Sequence, residues 1–226
     1  MEAPRSRPEM LDYLASRLSG SGIEFGAGHS PFPVKPGCEV VLADRNTPEE
    51  LTKRGYFGDH ALVVPHLISD LEHMEDIADA SVDFIIASHV IEHTRNPLGA
   101  FRQAYLKLRP SGQFVLVVPD MTVTFDKNRP LTSLDHLILD DVQPSSERDF
   151  NHYVEFFELA LPQENPVLAA RNVFEQGHDI HFHTWTYESF LQMVEYSRAA
   201  ISPWSAVWSQ GRLTDQDIEF YFVATK

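Results

Sequence analysis

Short apolar runs alternate with segments of helical spacing through the first half of the chain. Ile23 to Phe25, Glu39 to Leu42, Val63 to Ile68, Val82 to Ala87 and Phe114 to Val118 are too short for helices. The last two are almost wholly apolar, as strands buried on both faces of a sheet are. Between the runs, Leu11, Leu14 and Leu18 repeat at helical spacing, after Pro8 and before Gly20. Thr47 is placed to cap a second helix, with Pro48 at its first position and Glu49 and Glu50 in its first turn, stopping near Gly55. Thr94 or Asn96 opens a third that carries Leu98, Phe101, Tyr105, Leu106 and Leu108 and ends at Pro110-Ser111-Gly112. Strands and helices alternating in this way predict an α/β fold with a doubly wound, mostly parallel sheet.

The pattern fails between Pro119 and about Ile180. Pro130, Pro144, Pro162 and Pro166 interrupt this stretch, and one helix is predicted around Tyr153 to Leu159. Its aromatics Phe150, Tyr153, Phe156, Phe157 and Phe174 argue for a packed segment rather than a disordered one. It is read as a substrate lid, residues 119–180, over the carboxyl ends of the strands in a single domain spanning residues 1–226. Thr186 then caps a helix through Tyr196. Ala200 to Trp208 with Ile218 to Val223 forms a closing antiparallel hairpin.

Composition narrows the partners. The chain has 226 residues and a formal net charge of −15, from 33 acidic against 18 basic side chains. No cluster of Lys and Arg offers a footprint for nucleic acid or an anionic membrane surface, so neither is expected as a partner. No apolar run approaches the ~20 residues that span a bilayer. The first residues lack the apolar stretch of a secretory signal, and Cys38, a lone cysteine, gives neither an internal disulfide nor a thiolate cluster. A cytoplasmic monomer or homodimer is expected.

The chemistry starts where strand one breaks into Gly26-Ala27-Gly28 and strand two ends at Asp44. Glycine lets the backbone approach a ligand closely, and an acid at that distance can accept from both hydroxyls of a ribose. A dinucleotide oxidoreductase shares these two elements but expects a third glycine where this chain has Pro31.

Further segments carry a resemblance. Glu24-Phe25-Gly26-Ala27-Gly28, Asp44, Ser69-Asp70-Leu71, the run from Ser81 through Ile91-Glu92-His93, and Leu108-Arg109-Pro110-Ser111-Gly112 appear in an order similar to that of class I S-adenosylmethionine-dependent methyltransferases. The resemblance is to the small-molecule type. It implies a Rossmann-like sheet with the lid inserted after strand five, and S-adenosylmethionine as cofactor with S-adenosylhomocysteine as product. Gly26 and Gly28 would pass the methionine and ribose, and Glu24 would hold the turn or the amino group. Asp44 would take the ribose hydroxyls, Asp70 the adenine amine, and Leu71 would donate its backbone N–H. Ser88 and His89 would sit at the methionine end. His29-Ser30-Pro31 departs from the usual pattern after Gly28. A weaker similarity, over Arg129 to His136 with Arg148 and His152, is to methyltransferases of glycan or natural-product pathways.

Eleven histidines crowd the chain, several of them in its second half. An oxygen acceptor of high pKa needs a general base, which makes His136, His152, His181 and His183 catalytic candidates. Asp120, Arg148 and Asp179 are candidates for holding the acceptor. If the segment after Ile180 is extended, His181 and His183 share one face with Asp179. Such a set could deprotonate a hydroxyl or hold a divalent metal, although spacing fixes no ligand triad. Each histidine could equally be a satisfied core group. His60, His66 and His73 are read as structural, and Trp185, Trp204 and Trp208 as packing. The expected activity is methyl transfer from S-adenosylmethionine to an oxygen of a small polar acceptor, a sugar or natural-product-like metabolite. The alternative is a non-catalytic S-adenosylmethionine-binding regulatory or interaction module.

Overall fold

A computed structural model describes residues 3–54 and 60–226. The most apolar runs lie at the centre of one seven-stranded sheet. Its strands are β1 (Ser21–Phe25), β2 (Glu39–Asp44), β3 (Leu67–Ile68), β4 (Val82–Ser88), β5 (Leu108–Pro119), β6 (Ala206–Gln210) and β7 (Glu219–Thr225). Their order is β3-β2-β1-β4-β5-β7-β6. The first five are parallel, whereas β7 runs antiparallel to both β5 and β6. This is the doubly wound sheet with a terminal hairpin that the apolar pattern predicts.

Helices cover both faces. On one, α3 (Pro97–Lys107) and α7 (Tyr187–Ala200) bury Phe101 and Phe190 against Phe114, Phe222 and Trp204. On the other, α1 (Arg7–Ala15) lays Met10, Leu11 and Leu14 over Phe84, Ile86, Val115 and Tyr221. Pro8 falls in the first turn of α1, so this helix starts and ends earlier than the leucine spacing suggests. The crossover from β1 to β2 contains no helix. Pro31, Pro33 and Pro36 deny it the N–H donors a helix needs, and Phe32 packs into the α1 layer instead. The short α2 (Pro48–Arg54) follows β2; its predicted stop near Gly55 lies outside the described residues. Pro65 shortens β3 to two residues, and the Leu42 N–H is met by His66 Nδ1 at 3.1 Å.

Residues between β5 and α7 are more regular than the sequence suggests. Instead of one helix near Tyr153, they hold α4 (Leu134–Val142), α5 (Ser146–Glu155) and α6 (Pro166–Glu175), with a π turn continuing α5 through Phe156–Ala160. The prolines punctuate rather than break. Pro166 occupies the first turn of α6, and Pro144 precedes Ser145, the cap of α5. Side chains of Ser133, Ser145 and Asn165 each accept from a first-turn N–H of α4, α5 and α6. Tyr153, Phe156 and Phe182 anchor a small core of their own.

Candidate active site

A cavity of about 370 Å³ opens at the carboxyl ends of β1, β2 and β4. Its floor is Phe25, Gly26, Asp44, Ser69, Asp70, Leu71 and His89, while Phe125, Phe156, Asp179, Ile180 and His181 come from the segment between β5 and α7. Gly26 adopts φ 66°, and a Cβ there would lie 2.6 Å from Val90 Cγ2. Only glycine fits that turn. Gly28 has φ 57°, and its carbonyl accepts from the Val63 N–H at 2.9 Å.

Two acids stand at the strand tips. Asp44 Oδ1 accepts from the backbone N–H of Asn46 at 2.8 Å and from its side-chain amide at 3.1 Å. Asp70 Oδ1 accepts from the Glu72 N–H at 2.7 Å. Beneath the turn, buried Glu24 accepts from the Phe32 N–H at 2.8 Å; burial pushes its carboxyl up to about 7 against that hydrogen bond. Glu24 does not line the cavity, and neither do Gly28 and Ser88.

His89, just past β4, has a left-handed φ of 53°. That conformation costs a non-glycine residue about 1 kcal/mol. It brings His89 Nε2 within 2.7 Å of Glu219 Oε2, on β7. Burial alone would lower the His89 pKa, but the Glu219 and Glu92 carboxylates outweigh it and hold the imidazole above its ordinary value. Glu92 is fully buried, and neither of its side-chain oxygens has a hydrogen-bond partner among the described residues. It lies 3.7 Å from His89 Nδ1 and 3.9 Å from His181 Nε2. Burial raises its pKa despite both imidazoles. His93 lines the cavity and is held down to about 3 by burial, with Nδ1 2.8 Å from the Ile180 carbonyl.

The four candidate histidines occupy two places. His181 alone reaches the cavity, with Nδ1 2.6 Å from Asp126 Oδ2. Burial would raise the Asp126 pKa, but His181 and Arg129 hold it below the usual carboxylate range. Arg129 also donates to the carbonyls of His181 and Phe182 at 2.8 and 3.1 Å. His136, His152 and His183 gather instead around Asp140, away from the cavity lining. Burial, with neighbouring histidines, brings His152 down to about 3 and His183 to about 4.

The shared face expected for His181, His183 and Asp179 does not form. Residues 178–186 belong to no strand, and the N–H groups of Phe182 and His183 both point at the Glu92 carbonyl, at 2.7 and 3.4 Å. Asp179 reaches the cavity and pairs with Arg45. Arg148 is committed to Asp140 and to the carbonyls of Leu139 and Gln143. Asp120 caps a short turn by accepting from Thr122, beside a separate depression that also includes Tyr187 and Arg212. Sequence reasoning passed over Asp126 and Arg45, and it quoted Ile91-Glu92-His93 for the resemblance without giving Glu92 or His93 a role at the site. For Asp126, a signal was present in Arg129 three residues on, within the segment singled out for its similarity.

A parallel sheet of this order, with a glycine turn at β1 and acids at the ends of β2 and β3, defines a Rossmann-like α/β protein with a polar cleft at its strand tips. A family model for the methyltransferase domain matches residues 3–195, and the chain belongs to that family. S-adenosylmethionine, with S-adenosylhomocysteine as product, is the cofactor this implies, and the donor set fits it. A concave site with two acids at adjacent strand tips and a glycine turn between suits a cationic adenosine derivative.

Among solved structures, an S-adenosylmethionine-dependent methyltransferase from Mesorhizobium loti is similar with a TM-score of 0.54 and 12% identity over 96% of each chain. The CurJ carbon methyltransferase gives 0.52 and 14% identity over 96% of this chain and 52% of that one. The CMeT domain of the citrinin polyketide synthase gives 0.51 and 15% over 96% and 50%. This chain thus spans about half the length of the latter two. At such identities the likeness is one of fold. Among curated proteins no sequence match is found.

Proposed function

We propose that this chain transfers a methyl group from S-adenosylmethionine to an oxygen of a small polar acceptor, with His181 as general base. The observation that carries the base assignment is the Asp126–His181 pair at 2.6 Å on the cavity wall. A carboxylate on Nδ1 selects the tautomer whose Nε2 lone pair is available to take a hydroxyl proton. Bound S-adenosylmethionine supplies an activated methyl on a sulfonium, so the protein needs chiefly to align the acceptor and remove its proton.

In this reading Asp44 accepts from the ribose hydroxyls. Asp70 and the Leu71 N–H meet the adenine, and Gly26 lets the chain pass the methionine end beside His89. Glu24 holds the turn from below rather than touching the ligand. The segment from residue 119 to 180 closes the site as a lid through Phe125, Phe156 and Asp179.

The test pairs calorimetry with radiolabelled methyl transfer to a panel of sugar and phenol hydroxyls. His181→Ala should leave S-adenosylhomocysteine affinity within a few-fold while lowering turnover by ~10²-fold or more. Retained turnover would move the base elsewhere, and label appearing only on nitrogen or carbon would overturn the oxygen acceptor. A chain that binds the cofactor and modifies nothing on a broad panel would favour a non-catalytic binding module.

A further inference from the structure

We propose that His136, Asp140, His152 and His183 form a binding site for a divalent transition-metal ion, zinc by its ligand set, that clamps the helical insertion to the body of the fold. The four side chains come from three separate elements. His136 and Asp140 lie one turn apart on α4, His152 sits near the end of α5, and His183 is in the segment leading to α7. Their donor atoms all fall within 4.8 Å of one another.

The distances suit a small ion. His136 Nε2 lies 3.0 Å from both His152 Nε2 and Asp140 Oδ2, and a ring nitrogen of His183 completes the set within 4.8 Å. Ligands about 2.0–2.1 Å from a tetrahedral zinc stand roughly 3.4 Å apart, so the observed separations bracket the expected one. Three imidazoles and one carboxylate form a borderline set suited to zinc, cobalt or nickel and ill suited to calcium or magnesium.

Hydrogen bonding leaves this cluster incomplete. Asp140 is 6% exposed, and its Oδ2 faces His136 Nε2 at 3.0 Å without a well-directed hydrogen bond among the described residues. His183 is 1% exposed, and its Nδ1 is likewise without one. Buried polar atoms seldom stay so, and a cation at the centre would take up the idle lone pairs. The outer shell is in place. Arg148 holds the other oxygen of Asp140, and the Arg95 carbonyl accepts from His183 Nε2 at 3.1 Å, which leaves Nδ1 as the ligand atom. His136, with 30% of its side chain exposed, gives an ion its way in.

Four protein ligands close the coordination sphere, which is the mark of a structural rather than a catalytic ion. None of the four lines the cavity that takes the methyl donor. The clamp is therefore independent of the methyl-transfer reading, and either can fail alone.

The test uses the full chain with any histidine tag removed. Elemental analysis should find about one zinc per chain, and dipicolinate should lower Tm in a way zinc restores. Cobalt added to the stripped protein should give the intense visible bands of tetrahedral coordination. His136→Ala changes the most exposed ligand and is the variant most apt to fold. It should weaken cobalt binding at least tenfold, whereas His73→Ala, at an exposed position, should not. Circular dichroism serves as the check that variant and stripped protein remain folded. Absence of metal together with no cobalt bands in folded, stripped protein would overturn the proposal, leaving a proton-sharing network only. Cobalt binding undiminished in both His136→Ala and Asp140→Asn would overturn it as well.

Discussion

Asp44→Ala tests the proposed cofactor site at the acid that ends β2. The carboxylate ends β2 and faces the cavity, while its Oδ1 also holds the following turn through Asn46 at 2.8 and 3.1 Å. Two ribose hydroxyls donating to a charged acceptor contribute about 1.5–3 kcal/mol each when counted separately. Contacts that share one group do not add fully, so the loss falls near 2.7 kcal/mol, about a hundredfold in Kd. Asp44→Asn separates the two roles. Its amide oxygen can still accept from the Asn46 N–H and from one hydroxyl, so about a tenfold loss is expected. Titration calorimetry with S-adenosylhomocysteine at fixed pH and salt reads both, with circular dichroism to confirm folding. An alanine variant that is folded and within about threefold of the unaltered Kd would refute the placement of Asp44 on the ribose.

Asp126→Asn should lower turnover by ~10²-fold or more with little change in S-adenosylhomocysteine affinity, because His181 loses the partner that selects its tautomer. Equal activity at all pH values would separate the pair from catalysis. Gly26→Ala should depress Tm through both its φ of 66° and the 2.6 Å approach to Val90 Cγ2. Adding Val90→Ala should recover only the steric part, leaving about 1–2 kcal/mol of backbone strain; full recovery would deny the strain. Glu24 gives a pH signature. Its folded pKa, raised from 4.5 to about 7, means that the folded chain keeps a proton the unfolded chain releases. The stabilisation this gives is complete below the unfolded value and lost as pH rises through the folded one. Glu24→Gln, which can still accept from Phe32, should therefore gain on the unaltered chain by about 2 kcal/mol between pH 5 and pH 8 in urea unfolding. A pH-independent difference would contradict the burial argument.

The sheet was legible because continuous apolar runs bounded by glycine and proline have few other uses. Where expectation and structure part, a local chemical reason is visible. Pro65 removes an N–H from the third strand, and the Phe32 side chain replaces a helix that three prolines forbid. The insertion was harder to read, since its caps Ser133, Ser145 and Asn165 are followed by helices with mixed polarity. Asp140 and His152 are buried on those helices, and buried polar residues erase the apolar stripe on which period-based reading relies.

The histidines show why residue types can be found from sequence when their grouping cannot. Alternation in an extended segment would send His181 and His183 to one face, but that rule needs a ladder of partner strands to hold the pleat. Here the backbone is held instead by the Arg129 guanidinium on the carbonyls of residues 181 and 182, and by the Glu92 carbonyl on the next N–H groups. The chain curls between those two anchors, so His181 turns to Asp126 at the cavity and His183 to Asp140 beside α4. Both anchors lie far from the pair in sequence: Arg129 stands 52 residues before His181, and Glu92, which takes the N–H groups of Phe182 and His183, lies on the far side of β5. Contacts of that range decide which histidine faces the cavity, and no local pattern encodes them. Arg129→Lys is the sharpest probe of this: one ammonium cannot bridge Asp126, Glu155 and two carbonyls at once. Turnover should fall along with His181→Ala while the cofactor still binds, and a fully active lysine variant would show that the curl stands without its guanidinium.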